Sequence, residues 1–304
     1  MDRLEAMAIL AEVADAGSLT GAARRLAQPL PSVSRKIADL EAHLGAKLLT
    51  RTTRSLTLTE AGSAYLAASR RILELVREAE RAASGEYNAP RGELVIAAPI
   101  VFGRLHMTPV IAEFLAAFAE IRVRLQLSDR NADLIEERID VALRIGALPD
   151  SALTATRIGA LRRIVCGAPA YFEQYGEPAT PEDLAAQAQA CVNFDAPPGG
   201  DLWGFGRDGR NTVRPSARLS VNNAEAALDA AIAGVGLTRV LSYQAAAAIT
   251  AGRLRVTLAR FEPEPLPVHL LYGEREPLPL KLRSFLDFAA PRLRRRLAEV
   301  HAAF

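Results

Sequence analysis

PLPSVSRKIADLE, Pro29 to Glu41, decides how the first quarter of the chain is read. Two prolines bracket Leu30 and lead into a segment in which Val33, Ile37, Leu40 and Leu44 recur at helical spacing, the mark of one buried stripe. Proline is tolerated at the first helical position, because the N–H it lacks would be unpaired there. A helix from Ser32 to about Leu44 is therefore expected, stopped by Gly45. Its other face shows Ser32, Ser34, Arg35, Lys36 and Asp39. Serine hydroxyls suit phosphates or base edges, and arginine can bond a guanine edge in two places. A helix start set by Pro31 aims backbone N–H groups at a phosphate.

The flanks agree. Residues 3–16 read as a helix with Leu4, Met7, Leu10 and Val13 on one side, Gly17 as its stop and Ser18 as the next N-cap. LTGAARRLA buries Leu19, Ala22, Ala23 and Leu26, shows Arg24 and Arg25, and is small enough at its alanines for close helix approach. Two short helices around a tight turn make a helix-turn-helix, whose second helix can lie in a DNA major groove. AKLLTRTTRSLTLT then alternates like a strand and fits a hairpin wing with Arg51 and Arg54 near its tip, placed to neutralise backbone phosphates or enter a minor groove. From Leu19 to Leu58, seven Lys and Arg face two carboxylates, although the whole chain carries only +2. Thr59 caps a long helix over about 60–83, whose Tyr65, Leu66, Ile72, Leu73, Val76 and Ala79 exceed what one small domain covers. That surplus suggests a dimer contact or a spacer.

SGEYNAPRG, Ser84 to Gly92, reads as a linker. Beyond it ELVIAAP, RVRLQLS and DVALRI read as strands, GRLHMTPVIAEFLAAFAE and ADLIEER as helices, an α/β alternation. RRIVCGA, a helical TPEDLAAQAQA, CVNF, NAEAALDAAIAGVGLTRVL and PVHLLYG continue it, and a helix near Leu280–Ala290 and a basic tail, RLRRRLAEV, close the chain. At 304 residues, two or three compact units are expected.

GSLTGAARRLAQPLPSVSRKIADLEAHLGAKLLTRTTRSLTLTEAG closely resembles the N-terminal winged helix-turn-helix of LysR-type transcriptional regulators, and the resemblance runs collinearly through GELVIAAP, DLIEERIDVALRIG and AGVGLTRVL. It implies a winged helix-turn-helix over 1–58, a dimerising linker helix and hinge over 59–91, and a regulatory domain over 92–304. That domain would hold two doubly wound α/β subdomains resembling a periplasmic binding protein, the first from 92–162 and 268–304, the second from 163–267. The chain would cross between them near Gly159–Arg163 and Pro265–His269. The resemblance also implies double-stranded DNA with an imperfect inverted-repeat operator as one partner and a second copy of the chain as another, with tetramers as a further level. Pro31, Ser34, Arg35 and Arg54 match DNA-contacting positions of the family, while Ser32, Lys36 and Arg51 are added from geometry. Where the family usually opens its recognition helix with Ser-Gln-Pro, this chain has Pro29, Leu30 and Pro31, and Leu30 can offer a thymine methyl only an apolar contact.

A small-molecule effector is expected between the subdomains, at the carboxyl ends of the strands. Those ends carry Pro99, Ile100, Val101, Phe102, Ser128 and Arg144 in the first subdomain and Asn193 and Asn222 in the second. Arg144 would favour an anion. Cys166 and Cys191 match no disulfide framework or metal spacing and read as buried thiols. The four histidines are isolated, no nucleophile elbow is present, and GVG at Gly234–Gly236 follows a helix and precedes a strand, the reverse of a phosphate loop. No cofactor, metal or catalysis is called for. Without a signal peptide or an apolar run of membrane-spanning length, a cytoplasmic protein with no membrane partner is expected. Two rivals remain: a binding protein that only sequesters a small molecule, against which the basic winged helix argues, and an enzyme with an appended DNA-binding domain.

Overall fold

The N-terminal helices form where the caps place them. In the computed structural model, α1 (Arg3–Ala16) starts at Asp2, whose side chain accepts from the Leu4 and Glu5 amides, and ends at Gly17 with φ +63°. Ser18 Oγ accepts from the Gly21 N–H at 3.0 Å and starts α2 (Leu19–Arg25). α3 (Leu30–Leu44) follows, then β1 (Leu49–Arg51) and β2 (Leu56–Leu58), paired antiparallel with Leu49 opposite Leu58, and α4 (Glu60–Ala83). The structure describes residues 2–51, 56–83, 89–130, 134, 137, 139–148, 153–185, 190–194, 202–273 and 278–304. The chain divides between Asn88 and Ala89, inside the expected linker, into two units.

In the first unit Ile9, Leu10, Val13, Ala22, Val33, Ile37, Leu40 and Leu48 form a closed apolar core. Three details differ from the sequence reading. α2 ends at Arg25, two residues early, and Ala27 takes φ +51°, because the chain must reverse before Pro29. α3 begins at Leu30, not Ser32, with Pro31 inside its first turn. Leu4 and Leu44 are exposed: Leu4 lies a turn ahead of the Ile9–Leu10 layer, and the place expected for Leu44 on the buried stripe passes to Glu41. The buried Glu41 carboxylate accepts from the Leu48 and Leu49 amides at 2.9 and 3.1 Å and pairs with Lys47 at 2.7 Å. It thereby fixes the base of the wing.

Thr59 ties the wing to α4, donating to the Lys47 carbonyl at 2.6 Å and accepting from the Gly62 N–H at 2.9 Å. A Cβ on Gly62 would stand 1.9 Å from the Leu48 carbonyl oxygen, so only glycine permits this approach. Farther along α4, Leu66 is buried, whereas Ile72 and Leu75 are exposed.

The second unit contains β3 (Gly92–Ala98), α5 (Ile100–Phe102), a π turn over Gly103–Met107, α6 (Thr108–Ala117), β4 (Ile121–Leu127), β5 (Val141–Ile145) and β6 (Leu153–Leu161). Next come β7 (Arg163–Gly167), α7 (Pro169–Tyr175), β8 (Cys191–Phe194), β9 (Trp203–Phe205), β10 (Asn211–Val213), β11 (Ala217–Val221) and α8 (Ala224–Ile232). β12 (Leu237–Leu241), α9 (Ser242–Thr250), β13 (Arg255–Thr257), β14 (Leu266–Gly273) and α10 (Leu280–His301) complete the chain. One sheet runs β4-β3-β5-β14-β6, the other β11-β8-β12-β7-β13. Each has a parallel core of three strands, and β14, β6, β7 and β13 extend the sheets antiparallel, which the sequence alternation did not show.

The two sheets are joined at two crossings. One is Arg162, between β6 and β7. The other lies between β13 and β14, just ahead of the expected Pro265–His269, since β14 pairs with β6 from Leu266 onward. The helix expected at 280–290 and the basic tail are one helix continuing through Pro291. Its stripe of Leu282, Phe285, Leu286, Ala289, Leu293, Leu297 and Val300 buries against the first sheet's core and outweighs the hydrogen bond that proline removes. TPEDLAAQAQA shows a 3-10 turn, Pro181–Ala185, held by Asp183 accepting from the Ala179 and Thr180 amides at 2.9 Å; its next four residues, and most of ADLIEER, lie outside the described residues. Trp203 sits in β9, which forms a two-stranded hairpin with β10. Ile100–Ala117 is long and apolar enough to cross a membrane by composition, contrary to expectation, but its Val101, Phe102, Met107, Val110, Ile111 and Phe114 belong to the core.

Candidate nucleic-acid interface and effector cleft

The start of α3 is built for exposure. Pro29 gives no side-chain cap, and its carbonyl accepts from the Ser32 and Val33 amides at 3.0 and 3.2 Å. Leu30, Pro31 and Arg35 are exposed, while Ser32 and Ser34 are half-buried at the edge of the same turn. These residues lie together on the first turns, with the positive end of the helix dipole. Lys36 lies apart from them: it pairs with Glu5 of α1 and reaches the Gln28 side chain at 3.5 Å. It pins α3 to α1 and offers DNA little. Likewise Arg25 pairs with Glu12 at 3.1 Å and Arg70 with Asp15. Arg51 ends β1, at the root of the wing tip. Arg54 lies outside the described residues.

In the second unit, the expected cleft residues separate into two groups. Val101 and Phe102 are buried in the core, and the Phe102 ring meets Tyr243 at 5.3 Å and His106 at 5.0 Å. Pro99 leads into α5, and Ile100, exposed, donates its N–H to Asp129 Oδ1 at 3.1 Å. Ser128 is exposed and accepts from the Arg130 N–H at 3.1 Å. Arg144 is half-buried opposite His269; burial lowers its pKa, against the pull of the Glu137 charge. Asn193 is buried, with Oδ1 accepting from Trp203 Nε1 at 3.1 Å. Asn222 is exposed, and its neighbour Asn223 is the one with a structural task, capping α8 through the Glu225 and Ala226 amides.

Sequence reasoning missed the residues that join the sheets at this cleft. Tyr243, just past β12, packs edge-on to Phe102 and His106, and burial pushes the pKa of its hydroxyl well above that of an ordinary phenol. Arg104 in the π turn pairs with Glu225 of α8. At the crossings, Arg162 Nε and Nη2 each bond a Glu262 carboxylate oxygen at 2.8 Å, and Arg162 and Ser242 exchange two more hydrogen bonds. The adjacent arginines of RRIVCGA, standing before an apolar strand, were the signal available in sequence. Both cysteines are buried and free, and burial raises their pKa to about 12.

Together these features describe a transcriptional regulator: a winged helix-turn-helix with an open recognition edge, tethered to two α/β subdomains that meet at the ends of their strands. Residues 4–63 match the bacterial regulatory helix-turn-helix protein, lysR family, and residues 88–294 match the LysR substrate binding domain. The chain belongs to the LysR family, and its function is that of a DNA-binding regulator with an effector-binding domain, not of an enzyme. It is 34% identical to the HTH-type transcriptional activator AaeR of Escherichia coli over 94% of this chain and 93% of that protein. It is 32% identical to the HTH-type transcriptional repressor PA14_22550 of Pseudomonas aeruginosa over 95% and 91%. Among solved structures, CrgA of Neisseria meningitidis, a LysR-type transcriptional regulator, matches with TM-score 0.60 and 30% identity over 95% of this chain and 98% of that one.

Proposed function

We propose that this regulator acts in the cytoplasm as a dimer joined through α4 and reads an imperfect inverted repeat, one α3 per half-site. A division into 1–58, 59–91 and 92–304 fits this reading. Pro31, Ser32, Ser34 and Arg35 face the major groove, and the wing's Arg51 and Arg54 approach the flanking backbone. Lys36 keeps α3 in place. Exposed Ile72 and Leu75 on α4 support the dimer, and sedimentation of the intact chain separates dimer from tetramer. A small molecule between the two subdomains then biases activity, to the extent that it binds two arrangements with different free energies.

The observation that carries the reading is the edge formed by exposed Leu30, Pro31 and Arg35, with half-buried Ser32 and Ser34 beside them, at the uncapped start of α3. Its test is a salt titration of binding to the DNA upstream of the chain's own coding sequence, against random DNA. Arg35→Ala should weaken specific binding by about 1–3 kcal/mol and leave random DNA less affected. Equal weakening on both would reassign Arg35 to a phosphate.

A further inference from the structure

Two arginines of the second sheet stand on one face without a counter-charge among the described residues. β12 and β7 pair antiparallel, with Arg239 opposite Val165 and Leu241 opposite Arg163, so Arg163 and Arg239 lie one diagonal step apart. β12 and β8 pair in parallel, Leu237 beside Cys191 and Thr238 beside Val192. The next step brings Asn193 level with Arg239. All three lie where β8 and β12 finish, the end from which Phe194 and Leu241 pack against the core of the first sheet. The feature therefore faces the junction of the subdomains.

Arg239 is held firmly. Its Nη1 and Nη2 donate to the Gly204 and Leu202 carbonyls at 3.1 Å each, and its guanidinium lies 5.6 Å from the centre of the Trp203 ring. Trp203 is itself fixed by its bond to Asn193. Arg163 is half-buried, and among the described residues neither arginine has a carboxylate partner, nor does the Arg163 side chain have a hydrogen bond. Burial lowers the pKa of Arg163, and burial together with the Arg163 charge lowers that of Arg239 to about 9. In the same unit half-buried Arg162 and Arg292 are paired with Glu262 and Glu113, and half-buried Arg296 donates to the Leu105 carbonyl. Two partly desolvated like charges, one with its donors idle, are costly without an anion. The planar fork of arginine matches the oxygens of a carboxylate or phosphate.

We propose that Arg163, positioned beside Arg239 and Asn193, binds the oxyanion group, carboxylate or phosphate, of a small-molecule ligand at the junction of the two subdomains. This rests on reading that junction as the effector site and moves the anion's partner from Arg144 to Arg163.

The test uses the full chain, with succinate and inorganic phosphate as probes and chloride at equal ionic strength as the reference, read by thermal unfolding and by binding to its DNA. One of the two probes should raise the wild-type Tm by about 3–6 °C at ten times its Kd, and which one does so separates the carboxylate from the phosphate. Arg163→Gln should unfold in chloride no earlier than wild type, since it removes an unpaired charge, and should lose at least tenfold in probe affinity. Arg163→Lys should recover part of it. An equal shift in wild type and Arg163→Gln, or no shift with either probe, overturns the site. If selective DNA binding persists in that case, the regulator reading stands without it. If the probe binds through Arg163 and DNA binding does not respond to it, the anion site stands and its role as effector site fails.

Discussion

Glu262→Gln should loosen the two crossings together. The Glu262 carboxylate takes two hydrogen bonds of 2.8 Å from Arg162, with side-chain exposures of 11% and 21%. Hydrogen bonds to charged groups contribute about 1.5–3 kcal/mol, and removing one partner of a fully buried pair costs about 3–5 kcal/mol. With a fifth of Arg162 in solvent, about 2–3 kcal/mol is expected. The unit spans residues 89–304, and at that size the loss should lower its Tm by about 4–12 °C. A double-mutant cycle with Arg162→Gln isolates the pair: the double variant should recover at least about 1 kcal/mol relative to the sum of the singles. Calorimetry supplies the energies. Hydrogen exchange at the Ser242 amide, bonded to the Arg162 carbonyl at 2.8 Å, reports the local opening. A coupling below about 0.5 kcal/mol would place the pair with ordinary surface ion pairs and refute the claim that it clamps the crossings.

Three further outcomes are expected. His106 is buried, neither ring nitrogen has a hydrogen-bond partner among the described residues, and burial, helped by the Arg296 charge, lowers its pKa to about 4. Between pH 6.5 and 4 the unfolded chain binds the proton and the folded chain does not, so stability is lost as the pH is lowered through that window, by about 3 kcal/mol in all; His106→Phe should flatten the slope, and an unchanged denaturation profile would contradict this. Burial alone would raise the Glu41 pKa, but the bonds from Lys47, Leu48 and Leu49 lower it overall. Glu41→Gln should therefore destabilise the first unit by about 1–3 kcal/mol at pH 7, a difference that shrinks as pH falls below the ordinary carboxylate range through the lowered value; urea unfolding at neutral and acid pH checks this. Gly62→Ala meets a backbone carbonyl that cannot step aside, so it should lower stability by about 1–3 kcal/mol and weaken DNA binding through the displaced wing, and a variant with wild-type Tm and affinity would count against the close approach.

What the sequence determined by itself was the local order of the N-terminal unit. Caps at Asp2 and Ser18, stops at Gly17 and Gly45, and the Val33–Ile37–Leu40 stripe act over one or two turns, and the helices formed where those signals stood. Strands β3 and β5 were also legible, because a buried parallel strand is a nearly continuous apolar run, and the edge strand β4 was legible from its alternation of apolar and polar residues. The structure alone decided what depends on distant partners. The antiparallel places of β6, β7 and β14 follow from pairing across long sequence separations. Pro291 stays inside α10 because a whole face of that helix is buried. The roles of the charged residues changed most: Lys36 went to Glu5, Glu41 to the wing amides and Arg162 to Glu262, while Arg163 found no carboxylate partner among the described residues. A charge has no periodicity to reveal its partner, and the chain must fold before the carboxylate it meets, or fails to meet, is known.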